Sequence, residues 1–147
     1  MKTIDEWVYS TLKDDATLRG YTGGSESDPR VYASHIPVEL FTKFTGITGA
    51  VVSYYLSGGG GFSLGPIWAL QKPDERYSID IYSRSKSVLQ NCFERIDAML
   101  NEELQASITG WKVLRISRVA QTDIYISDDH MRHKHLEYLF AGILDAS

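Results

Sequence analysis

Apolar and polar positions recur along this chain with two different periods, and the changes of period mark its elements. After Thr3, the residues Ile4, Trp7, Val8 and Leu12 fall on one helical face, and Glu6 completes a Thr-x-x-Glu capping box. This spacing predicts an N-terminal helix that frays or bends near Asp14-Asp15. It ends by Gly20, because Gly20, Gly23, Gly24 and Pro29 leave no room for continuation. After Pro73-Asp74 the period falls to two. Tyr77, Ile79 and Ile81 alternate with Ser78, Asp80 and Tyr82, the pattern of a half-buried strand. From Ser85, a suitable N-cap, helical spacing returns: Val88, Leu89, Cys92, Phe93, Ile96 and Leu100 form a stripe opposite Lys86, Gln90, Glu94, Asp97 and Asn101.

The remaining segments are shorter. Residues 30–34 read as a strand, and Pro37 starts a helical turn over residues 37–44 with Leu40, Phe41 and Phe44 on one side. Residues 50–56, β-branched and aromatic, predict a strand whose partner is 66–71 across a run of glycines. Residues 110–119 return to strand character, and 123–127 add another short strand. Over 133–143, Leu136, Leu139, Phe140 and Ile143 fit a helix, while Leu136, Tyr138 and Phe140 alternating with Glu137 and Leu139 fit a strand. Periodicity does not arbitrate, and a strand is the expectation. Strands in runs, with helices between, predict an α+β fold: a mainly antiparallel β-sheet with two helices packed on one face, in one domain spanning residues 1–147.

Composition narrows the class. A chain of 147 residues suffices for one ordinary core, and 43% apolar with 23% charged residues points to a globular protein. No apolar run approaches the length of about 18 residues that a membrane span needs, and the polar start "MKTIDEW" lacks the core of a signal peptide. Synthesis and retention in the cytoplasm are therefore expected. The formal net charge is −4 and neither half is basic, which disfavours nucleic acid as the main ligand. Cys92 is the single cysteine, so no intrachain disulfide forms, and it reads as a small buried hydrophobe.

The stretch "YYLSGGGGFSLG" invites a phosphate-loop reading, which its neighbours reject. A Walker A loop needs Lys followed by Ser or Thr, and here Pro66 follows Gly65; a dinucleotide fingerprint must open a helix, and "PIW" reads as strand. Ordering glycine costs about 0.5–1 kcal/mol more than ordering alanine, so four in a row add about 2–4 kcal/mol. Two readings follow: a flexible hairpin tip, or a mobile loop at about 57–65 that a neighbouring chain orders. In the second, Gly58, Gly59, Gly60, Gly61 and Phe62 meet the partner, with Phe62 as anchor.

Other constellations carry weaker chemistry. "DDHMRHKH" sets His130, His133 and His135 beside Asp128 and Asp129, with His133 and His135 on one strand face. That geometry can hold zinc or iron, yet Arg132 and Lys134 bring positive charge, and a solvated turn leading into a strand is the expectation. No metal and no cofactor is assigned. Asp80 and Asp123 offer an acid–base pair of a kind any soluble domain contains, and no G-x-S-x-G occurs. Tyr32, Tyr54, Tyr55, Trp68, Tyr77, Tyr82, Trp111 and Tyr125 could stack bases, but strand aromatics are more often core or interface. Lys112, Arg115 and Arg118 alternate faces on a strand, which argues against a basic stripe.

An N-terminal helix, "DPRVYASHIP" before a strand such as "AVVSYYLSGG", then "IDIYSRSKSVLQNCFERID" with a strand running into a striped helix, and strands to the C-terminus follow one another here. This order resembles the small tail-completion, tail terminator and head-tail joining proteins of long-tailed bacteriophages. "VELFTKFTGITG" and the glycine loop depart from the compact pattern of that family. The resemblance implies a structural, non-enzymatic virion assembly protein, found in the virion and in the host cytoplasm during assembly. It also implies a ring of identical subunits, commonly a hexamer, stacked between tail-tube and head-connector proteins, with DNA only as passing cargo and no membrane. The rivals from the residues alone are a small metal-dependent hydrolase using His130, His133 and His135, and a single-stranded nucleic-acid binder using Tyr54, Tyr55 and Trp68.

Overall fold

Thr3 caps the first helix through the capping box that its spacing to Glu6 predicts: the Glu6 amide donates to Thr3 Oγ1 at 3.2 Å, and the Thr3 amide donates back to Glu6 Oε2 at 3.3 Å. The computed structural model describes residues 3–34, 36, 49–59, 74–102, 104–105, 108, 111–126 and 131–144. Helix α1 (Ile4–Lys13) buries Ile4, Val8 and Leu12. The expected single helix is two. Asp15 restarts the chain as α2 (Ala16–Thr22), because its carboxylate accepts from the Leu18 amide at 2.8 Å and takes both Arg95 bonds, at 2.8 and 2.6 Å. Gly20 lies inside α2, and the stop is Gly23, whose φ of 75° suits a glycine C-cap.

After β1 (Val31–Ala33) and β2 (Ala50–Gly59) come β3 (Glu75–Ser83), α3 (Lys86–Leu100), β4 (Leu104–Gln105), β5 (Trp111–Ile126) and β6 (Met131–Leu144). Among the described residues, six strands form one sheet in the order β1-β2-β3-β6-β5-β4. β1 runs parallel to β2 and the other pairs are antiparallel, so the fold is α+β as expected. β2 pairs with β1 and β3, with Tyr54 opposite Ile79; its expected partner, 66–71, and the expected turn over 37–44 lie outside the described residues. The strands expected at 110–119 and 123–127 are one, β5, because a register shift between Arg118 and Ala120 absorbs the irregularity while β6 continues alongside. The closing segment is a strand, with Leu136, Tyr138 and Phe140 buried.

Among the described residues, three helices cover one face of the sheet, because the expected N-terminal helix is split in two. The core joins Val8, Leu12 and Leu18 to Ile79, Ile81, Leu136 and Phe140, and α3 inserts Leu89, Cys92, Phe93, Ile96 and Leu100. The second half, α2, is held on α3 by the Asp15–Arg95 pair. Burial pushes the Cys92 thiol up to about 12, consistent with a packing role. Tyr138 reaches out of this core to donate to Asp97 Oδ1 at 3.0 Å, and Arg118 closes on the same carboxylate at 3.0 Å. On the opposite face, Val51 and Met131 pack with Ile36, Tyr32 and Tyr82, beside the buried polar residues Ser53, Ser78 and Asp80.

Candidate functional site

The buried polar face centres on Asp80, in the middle of β3 and directly opposite His135 of β6. Strand alternation places His133, His135 and Glu137 on the same side of the sheet as Asp80, away from the helices. Asp80 Oδ1 accepts from His133 Nε2 and from His135 Nδ1, each at 2.6 Å. The side chains of Asp80, His133 and His135 are 8%, 13% and 23% exposed. These short bonds are therefore largely sheltered from water. His135 Nε2 lies 3.3 Å from Glu137 Oε1, so both ring nitrogens face carboxylates, an arrangement that suits the doubly protonated imidazole.

The electrostatics follow. Burial works against the charge on His135, but the bonds to Asp80 and Glu137 outweigh it and raise its pKa above the ordinary value. Burial likewise opposes the Asp80 carboxylate, and the bonds from His133 and His135 overcome it, holding the group below its ordinary pKa. Tyr82 stacks on His133 with centroids 4.2 Å apart and 16° between planes. Burial, then Asp80, pushes the Tyr82 phenol up to about 12, and the same two causes raise Tyr55 of β2. Asp80, His133 and His135 present ligand atoms that all lie within 4.8 Å of one another. Chemically, the arrangement can clasp two strands by charge or offer a cation one carboxylate oxygen and two imidazole nitrogens.

Of the expected turn leading into a strand, the strand is present from Met131 onward, two residues earlier than expected, with Met131 and Lys134 buried rather than solvated. His130, Asp128 and Asp129 lie outside the described residues. Asp123 does not meet Asp80. It pairs with Lys134 Nζ at 3.0 Å, and Lys134 points to the helix face, donating to Gln90 Oε1 at 3.3 Å with its ammonium 4.6 Å from the Phe93 ring centroid. A cleft of about 190 Å³ opens there between the start of α3 and the end of the β5–β6 hairpin, lined by Lys86, Gln90, Asp123, Arg132 and Lys134 among others.

The glycine stretch divides. Gly58 and Gly59 belong to β2, opposite Arg76 and Glu75, after a register shift between Leu56 and Gly58, and Ser57 Oγ donates to Arg76 O at 3.2 Å. A loop starting at 57 is therefore too early: the ladder to β3 carries the strand two glycines further. Gly60, Gly61 and Phe62 lie outside the described residues. The stacking platform of Tyr54, Tyr55 and Trp68 does not assemble among the described residues. Tyr54 is buried against Tyr9 with centroids 5.8 Å apart, Tyr55 is on the other face, and Trp68 is not described.

No protein-family model matches this sequence, and no curated protein matches it. Among solved structures, the chain is similar to one in the "Virion of native gene transfer agent (GTA) particle", with a TM-score of 0.66 and 15% identity. The match covers 97% of this chain and 96% of that one, and at this identity it is a likeness of fold from end to end.

Proposed function

We propose that this protein is a non-enzymatic structural component of a phage-like virion, forming a ring at the end of a tail and joining or capping it at the head-tail interface. The observation that carries this reading is the end-to-end likeness in fold to a virion chain, 97% of one on 96% of the other. The ring and its place at the head-tail junction rest on the order of elements in the sequence. Identical subunits, commonly six, are the lateral partners; tail-tube and head-connector proteins are the axial ones; DNA passes as cargo.

The sheet edge supports lateral contact. Among the described residues, β4 pairs with β5 at Leu114 and Arg115, the Glu102 amide donates to Ile116 O at 2.8 Å, and the Arg118 amide donates to Asn101 Oδ1 at 2.8 Å. Beyond these, residues 120–126 pair with β6 alone among the described residues, leaving a strand edge of the kind a neighbouring subunit can complete. Light scattering of the concentrated protein, alone and mixed with tail-tube protein from the same genome, tests the reading. A ring-sized mass in either sample is expected. Monomer alone in both, with no complex, contradicts it.

A further inference from the structure

We propose that Asp80, His133 and His135 form a site for a divalent transition-metal ion of the zinc class, which ties β3 to β6. The site goes beyond the virion role and does not depend on it. One carboxylate oxygen with two imidazole nitrogens suits zinc, cobalt or nickel, whereas magnesium and calcium favour oxygen alone. Zinc bonds of about 2.0–2.1 Å in a tetrahedron set ligand atoms about 3.3 Å apart. Here two of the three separations are the 2.6 Å hydrogen bonds and all fall within 4.8 Å. Opening each bond by about 0.7 Å, within reach of small side-chain rotations, admits the ion.

The surroundings match what a histidine ligand needs. Glu137 faces the second nitrogen of His135 at 3.3 Å, and Tyr82 fixes the plane of His133 by stacking. All three ligands sit within paired strands, whose ladder holds their spacing. On binding, the Nδ1 proton of His135 and the Nε2 proton of His133 both leave to solvent, each freeing a lone pair for the ion, while the His135 Nε2–H keeps its bond to Glu137. The cation takes the place of the protons between Asp80 and the two rings, so the buried carboxylate keeps a positive partner.

Untagged protein, stripped with chelator and dialysed, is titrated with zinc chloride by calorimetry. One equivalent per chain is expected, with affinity falling at least about tenfold in Asp80→Asn and His133→Gln and about tenfold in Glu137→Gln. Cobalt should give visible bands of tetrahedral type that zinc abolishes. Absence of saturable zinc binding overturns the proposal, as does unchanged affinity in variants whose circular dichroism shows them folded. If those variants fail to fold, histidine-ring NMR of the wild type decides. Zinc-dependent shifts at His133 and His135 support the site, and shifts only at His35 or His130 overturn it.

Discussion

Replacing Asp80 with alanine removes two charge-assisted hydrogen bonds of 2.6 Å that join β3 to β6. Bonds to charged groups contribute about 1.5–3 kcal/mol each. Water recovers part of this, since the His133 and His135 side chains are 13% and 23% exposed, so the expected net cost is about 2–4 kcal/mol. The pH dependence has a definite sign. His135 has a raised pKa, so its contribution is fully present below the unfolded imidazole value of about 6.5 and is lost as pH rises through the folded value. Asp80 has a lowered pKa, so its contribution is present above about 3.9 and is lost as pH falls through the folded value. Facing the pair are Glu137, bridged to Arg76 at 3.8 Å, and the phenols of Tyr55 and Tyr82, whose raised pKa values keep them neutral throughout. Urea unfolding of wild type and variant, with chelator present, at about pH 5.5 and about pH 8.5 measures the difference. The variant should lose more at the lower pH. Equal losses at both, or a loss below about 0.5 kcal/mol at either, would refute the charged clasp.

Four further outcomes are expected. Asp15→Ala should destabilise by about 1.5–3 kcal/mol in urea unfolding, through a lost cap and a lost Arg95 pair. A double-mutant cycle with Arg95→Ala should leave a residual coupling, and additive losses would show that the pair is idle. Ile96→Ala, at a fully buried site under α3, should cost about 2–5 kcal/mol in the same assay, and a loss below about 1 kcal/mol would place the core elsewhere. Gly58→Ala should change stability by less than about 1 kcal/mol, because an added Cβ meets only Arg76 Cβ at 3.8 Å; Phe62→Ala should leave stability unchanged yet lower the yield of assembled particles, and an unaltered yield would remove Phe62 from the interface.

Much of the fold was legible because its signals are local. Thr3 with Glu6, Ser85 before a striped segment, and the alternation through Tyr77, Ile79 and Ile81 each declare an element within a few residues. The restart at Asp15 also had a signal, an Asp able to cap the turn before Leu18, but its decisive partner, Arg95, is 80 residues away. The same holds for the site. Asp80 lies 53 and 55 residues from His133 and His135, so the histidines read as a local cluster with Asp128 and Asp129 until the sheet order put β3 beside β6. Continuation of β2 through Gly58 and Gly59 was equally hidden, since glycine has no strand preference and only the ladder to Arg76 and Glu75 keeps it extended.

The proposed ring at the head-tail interface is tested most directly by cryo-electron microscopy of purified particles, compared with particles made without the gene. The expected result is a ring of density at one end of the tail that fits this fold and is missing from the mutant, whose heads and tails fail to join or whose tails are uncapped. Mature particles that lack the protein, with joining and tail ends unchanged in the mutant, would contradict it.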